Sequence, residues 1–185
     1  MGDRTVTFGL ADGLIATRTG TGTYDAAIDV PHIQMMNATV RVLSAEGTGD
    51  DRIVALASRI IAGTVQMRMQ AVPFNVLEII LGTDIYAVGA DDTLVETIPL
   101  MAGTRLPWFG VVGQGLEEEG LGDVMMFAPK CKVASDISLG TMEYGTLSLV
   151  EFTATCLGED DYPVLALQQR ATIGEFDIPL ASIQA

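Results

Sequence analysis

Polar and apolar residues alternate along Arg59 to Gln70, RIIAGTVQMRMQ. Val65, Met67 and Met69 fall on one side, and Thr64, Gln66, Arg68 and Gln70 on the other. A period of two is the signature of a strand with one face on a core and the other on water. Asp51 to Ser58 precedes this run closely and is expected to pair with it as a separate strand. Leu106 to Val112, Asp123 to Ala134, Thr146 to Leu157 and Val164 to Ile173 also read as strands, and glycine-rich or acidic turns separate most of them.

One segment departs from this pattern. After Pro73, the run FNVLEIIL places Phe74, Leu77, Ile80 and Leu81 at helical spacing, and Gly82 follows as a stop. Proline suits a helix start and glycine a helix end, so the spacing predicts a short helix over 74–81 that covers an open face of the sheet. The expected fold is mainly β, with one short helix and extended terminal arms. The chain reads as a single domain, with residues 1–27 as an N-terminal arm, 28–176 as the β core and 177–185 as a C-terminal tail.

Composition supports a packed core. Of 185 residues 49% are hydrophobic and 18% charged, so global disorder is not expected. Ten Lys and Arg against 24 Asp and Glu give a net charge of −14, which repels phosphate backbones. A protein that grips nucleic acid is therefore disfavoured, although a surface that lets DNA slide past would also be acidic. No stretch reaches the about 18 to 20 apolar residues of a membrane-spanning helix, and MGDRTVTFGLADG has no leader pattern, so a cytoplasmic protein is expected. Cys131 and Cys156 are too few for a disulfide scaffold and lie in strand-like runs, as expected of small buried residues in a reducing compartment.

Candidate chemistry is sparse. WFGVVGQGLEEEG (Trp108 to Gly120) outlines a dinucleotide-binding turn, but the fingerprint's last glycine is replaced by Glu118. Glu117, Glu118 and Glu119 stand where phosphates would sit, so an acidic hairpin turn is expected instead, with Trp108 as a packing anchor. Nucleophilic catalysis needs an imidazole, and the single histidine, His32, lies in the apolar run VPHIQMM, where a structural role is expected. Two cysteines and one histidine at unrelated positions form no closed zinc set. The acidic pairs at Asp50–Asp51, Asp91–Asp92, Glu117–Glu119 and Glu159–Asp161 read as solvated loop tips without calcium-loop spacing. The expectation is no cofactor, no metal and no catalytic residue.

The order of elements does resemble a known family. GDDRIVALASRIIAGTVQMRMQAVPFNVLEIILG (Gly49 to Gly82), LPWFGVVGQG (Leu106 to Gly115) and GDVMMFAPKCKVASDISLGTMEYGTLSLVEFTATCLG (Gly122 to Gly158) together look like the middle and closing strands of major tail tube proteins of long-tailed bacteriophages. The resemblance rests on the order of small and apolar residues, not on a catalytic signature. It implies a β-sandwich or barrel of two packed sheets flanked by one short helix, assembled as hexameric rings stacked into a tube, with hairpins from six subunits joined edge to edge around a lumen. Its implied partners are the chain itself, the tape measure protein and phage DNA in the lumen without tight binding, and tail terminator and distal tail proteins. A virion protein assembled in the host bacterial cytoplasm, without membrane contact or active site, is what such a resemblance implies.

Thr64, Gln66, Arg68 and Gln70, polar and unsuited to a core, are candidates for the lumen wall. Ser44, Glu46, Asp50, Asp51 and Arg52 occupy the place of the family's ring-stacking loop. Carboxylates lining or flanking a lumen would keep DNA from being captured. Two other readings remain open: another phage virion component, such as a decoration or tail terminator protein, and a small β-barrel module that binds an apolar ligand.

Overall fold

The computed structural model describes residues 9–49, 52–70, 73–89, 94–116, 123–139, 149–159 and 162–170. Strands β1 (Gly9–Gly20), β2 (Thr23–Tyr24), β3 (Ile28–Asp29), β4 (Ile33–Gly49) and β5 (Arg52–Gln70) precede helix α1 (Phe74–Leu81). After it come β6 (Tyr86–Val88), β7 (Val95–Thr97), β8 (Phe109–Leu116), β9 (Asp123–Val133), β10 (Leu149–Cys156) and β11 (Ala166–Arg170). Among the described residues every pairing is antiparallel, and the main sheet runs β2-β1-β8-β9-β10-β5-β4, with β3 added to β1 and β11 to β9.

This sheet folds over on itself as a sandwich. One half contains β1, β8 and β9, the other β10, β5 and β4, and their facing sides meet in one core. Ile15, Phe109, Val111, Ala128 and Cys131 come from the first half; Val65, Met67, Met69, Val150, Phe152 and Ala154 come from the second. Phe109 and Phe152 meet across the layers edge to face, at 6.1 Å and 80°. On one side the halves are joined by the chain itself, which passes from β3 through His32 into β4. There the Val30 N–H donates to the Gly13 carbonyl and the Gln70 N–H to that of His32. On the other side, β9 pairs with β10.

The helix matches its predicted bounds. Pro73 stands before it with φ −75°, and Gly82 ends it in the left-handed region at φ 64°, its N–H donating to the Glu78 carbonyl. Val76, Leu77, Ile79 and Ile80 are buried against the core, whereas Phe74 and Leu81 are half-buried at its margin. A side chain at Gly82 would need an unfavourable φ and would meet Pro107, with Cδ 2.8 Å from the added carbon.

Three expectations about the elements are corrected. Residues 9–20 are not an arm: they form β1, with Leu14, Ile15 and Ala16 buried, because β1 lies inside the sheet beside β8 and has a small second core of Leu14, Val112, Met125 and Phe127 on its other face. Asp51 to Ser58 does not pair with Arg59 to Gln70; from Arg52 onward both belong to the single strand β5, and its partner is β4. His32 is exposed in a turn at φ 53°, not in an extended apolar run. The proposed tail, 177–185, lies outside the described residues.

Candidate functional site

Gly63, Val65, Met67 and Met69 of β5 turn inward, so Thr64, Gln66, Arg68 and Gln70 turn out, all half-buried. β10 does the same: Val150, Phe152, Ala154 and Cys156 are buried, and Glu151, Thr153 and Thr155 alternate with them on the outside. Directly opposed residues of antiparallel strands point to the same face, so register decides which side chains form rows. Thr39, Thr64, Thr155 and Lys132 make one row across β4, β5, β10 and β9. Asn37, Gln66 and Thr153 make the next, and Met35, Arg68 and Glu151 the third. The four residues singled out from alternation thus belong to a wider polar face of amides, hydroxyls and a compensated charge pair.

The charge pair is well formed. The Arg68 guanidinium donates from Nε at 3.1 Å and from Nη2 at 2.9 Å to Glu151 Oε2, and Gln66 Nε2 donates to Oε1 at 2.5 Å. These hydrogen bonds, those of Arg68 foremost, hold the Glu151 carboxyl below its ordinary range. Gln34 and Gln70 close the same face through a 3.2 Å amide–amide bond.

A second charged group lies where β1, β8 and β9 meet. Both lysines of the chain flank one indole: Lys130 Nζ and Lys132 Nζ stand 5.2 Å and 5.3 Å from the Trp108 ring centre. Trp108 is half-buried, so its anchoring role combines packing with cation attraction. Glu159 receives Lys130 Nζ at 2.5 Å and also pairs with the largely buried guanidinium of Arg18. The Lys130 hydrogen bond and the Arg18 charge hold the Glu159 carboxyl low. Glu159 is therefore a structural ion-pair member and not the solvated loop tip expected for it. Tyr24 donates to the Pro129 carbonyl at 2.5 Å beside this cluster, and burial pushes its phenol up to about 12.

The hairpin of β4 and β5 is the third feature. Gly63 to Gln70 pairs with β10 on one side and β4 on the other, but Arg52 to Ala62 pairs with β4 alone. At about 3.3 Å per residue this two-stranded ribbon runs roughly 35 Å past the sheet. Val40, Val42, Leu43 and Ile60 are about half exposed on it, at 48%, 53%, 49% and 57%. The expected loop at 44–52 is corrected accordingly: Ser44 and Glu46 lie in β4 opposite Ser58 and Leu56, and Arg52 opens β5 opposite Gly49. Asp50 and Asp51 lie outside the described residues.

The glycine fingerprint in WFGVVGQGLEEEG is not a turn at its first glycines. Gly113 and Gly115 lie within β8, between antiparallel neighbours β1 and β9. Glu117, Glu118 and Glu119 lie outside the described residues, as do Asp91, Asp92, Asp160 and Asp161. Among the described residues no three His, Cys, Asp or Glu side chains converge as a metal site would require, and no helix is long and apolar enough to cross a membrane. An open apolar groove of about 330 Å³ lies beside Leu81, Leu100, Met101, Leu106, Val133 and Leu139. Its lining reaches the margin of the core at Val133, and the sandwich interior itself is filled by side chains such as Phe109, Phe152 and Met67.

Sequence reasoning did not find Glu151, Lys132 and Trp108 as members of one surface. Thr146 to Leu157 reads as a strand in the sequence, but only the register of β10 on β5 sets Glu151, Thr153 and Thr155 beside Arg68, Gln66 and Thr64. The chain matches no protein-family model, and no curated protein matches it.

Proposed function

We propose that this chain is a structural subunit that self-assembles into stacked hexameric rings forming the tail tube of a long-tailed bacteriophage, a conduit for DNA. The observation that carries the reading is the β4–β5 hairpin. β4 ends the main sheet as a 17-residue strand, with one edge paired to β5. A long edge strand with apolar side chains is a template for pairing with another chain, and proteins that do not use such an edge blunt it. A head-to-tail contact that puts this edge against a neighbouring subunit, repeated around a ring, closes every such edge. The proposed partner is therefore first of all another copy of the chain.

The polar face supports the same reading. Threonine hydroxyls, amides and an Arg68 charge held by Glu151 suit the wall of a lumen, because an internally compensated cation gives phosphate little to bind. The acidic balance of −14 adds long-range repulsion of the passing DNA. In this reading tape measure protein and DNA occupy the lumen without tight binding, tail terminator and distal tail proteins meet the tube ends, and the protein belongs to the virion after assembly in the host bacterial cytoplasm. No catalytic step is assigned.

Electron microscopy of concentrated purified protein tests this. Stacked rings with an axial channel and six-fold end views are expected, and Val42→Glu with Ile60→Glu should abolish them while leaving a folded monomer. Protein that stays monomeric or trimeric under every assembly condition would overturn the proposal.

A further inference from the structure

Cys131 and Cys156 are register partners on β9 and β10, both fully buried, with their sulfurs 2.7 Å apart and both thiols free. The hydrogen bonds around them define the type of pair. Leu157 N–H donates to the Lys130 carbonyl and Ala134 N–H to the Thr153 carbonyl, one pair beyond Cys131–Cys156 in one direction and three in the other. Hydrogen-bonded pairs alternate with non-hydrogen-bonded ones, so Cys131 and Cys156 form a non-hydrogen-bonded pair. In such pairs Cα atoms approach to about 4.5 Å, within the roughly 4.4–6.8 Å that a disulfide spans. The spacing of such a pair, with the sulfurs already 2.7 Å apart, is compatible with a disulfide.

The position of the pair is equally informative. Between Lys130 and Ala134 the seam of β9 with β10 joins the two halves of the sandwich: Val133, Lys132 and Cys131 face Ala154, Thr155 and Cys156. The earlier part of β9 is instead paired to β11, from Asp123 to Phe127. β10, by contrast, pairs with β5 along its whole length. This short seam is where one sheet becomes the other.

We propose that Cys131 and Cys156 form an intramolecular disulfide under oxidising conditions, which staples the two halves of the sandwich at this seam. The oxidant is a low-molecular-weight disulfide. One cysteine thiolate attacks it, forming a mixed disulfide and releasing one small thiol; the second cysteine then attacks the protein sulfur and releases the other. Two protein thiols and one small disulfide give one protein disulfide and two small thiols, so electrons and protons balance. Burial pushes the Cys131 thiol well up, so little thiolate exists in the closed fold and exchange proceeds when the seam opens or as the chain folds. The bond closes a loop across a separation of 25 residues, which restricts the unfolded chain. None of this depends on tube assembly: the disulfide belongs to the single subunit.

The test holds the full-length protein in oxidised glutathione or in dithiothreitol, including a refolding step from denaturant, and counts alkylatable thiols and intact mass. After oxidation, a monomer lighter by two hydrogens with no alkylatable thiol is expected, with Tm raised by roughly 5 to 10 °C over the reduced form. Cys131→Ala and Cys156→Ala should each form no internal bond and gain nothing from oxidant. Two alkylatable thiols after oxidative refolding, glutathione adducts on both cysteines, or disulfide-linked dimers would overturn the pairing. An internal bond that leaves Tm unchanged would overturn the staple. These readouts on wild-type protein stand even if the alanine variants fail to fold, and none involves rings.

Discussion

Arg68 and Glu151 face each other on β5 and β10 and are joined through two guanidinium nitrogens on a single carboxylate oxygen. The pair lies on the outer face, with side chains 40% and 31% exposed, so water and salt screen it. Arg68→Ala should therefore leave the urea-unfolding midpoint of the subunit nearly unchanged, and the Glu151 carboxyl, read by NMR titration, should rise toward the ordinary carboxylate range. A large loss of stability would mean that this face is packed within the subunit and is no wall.

On the inner face of the same strands, Phe152 stands opposite Met67 and edge-on to Phe109, and all three are essentially inaccessible to water. Phe152→Ala removes the ring from a core with matched shapes on every side. A loss of about 3 to 5 kcal/mol is expected in chemical denaturation. A loss of under about 1 kcal/mol would show that the two sheets do not meet at this ring.

Gly110 is the surface on which the Tyr24 ring lies: a β-carbon there would come within 2.5 Å of Cε1. Gly110→Ala must move the ring, and with it the hydroxyl that donates to the Pro129 carbonyl. Burial is what holds the Tyr24 phenol near about 12, so the variant should titrate closer to the ordinary tyrosine value of about 10. Wild-type folding stability carries the same signature. The folded state keeps a proton that the unfolded state releases, so this contribution is intact below about pH 10 and is lost as pH rises through the folded value. Spectrophotometric titration of the four tyrosines, against Tyr24→Phe as reference, checks the shift.

Local pattern carried the elements better than their partnerships. Pro73, the spacing of Leu77 and Ile80 and the stop at Gly82 are signals within one turn or two, and α1 has the bounds they predict. Alternation likewise located β9, β10 and the outward residues of β5. Register is not local: nothing in Glu151's own neighbourhood announces Arg68, which is 83 positions away. The error over residues 9–20 has a similar origin, because GLADGLIATRTG has little apolar bulk and qualifies as a strand only when β8 pairs with it, the main core closes around Ile15 and the small second core around Leu14. The cysteines were legible as buried, but only pairing on β9 and β10 brings them together.

Glu159 ties together strands that are distant in sequence, taking Arg18 from β1 and Lys130 from β9. Its carboxyl is held low by the Lys130 hydrogen bond and the nearby Arg18 charge, so the unfolded chain takes up a proton at a pH where the folded protein does not. Stability from this group is therefore present above the unfolded value of about 4.3 and is lost as pH falls through the lower folded one. Protonating the many other carboxylates also relieves repulsion within a chain of charge −14, and that change acts in the opposite direction. A comparison with Glu159→Gln separates the two, since the relief of repulsion is nearly common to both proteins. The variant leaves Arg18, whose side chain is 9% exposed, without its carboxylate, so it should be the less stable protein at neutral pH. As pH drops below about 4 the gap between the two urea midpoints should narrow. A gap that stays constant across the acid range would show that Glu159 contributes shape to this junction and not charge.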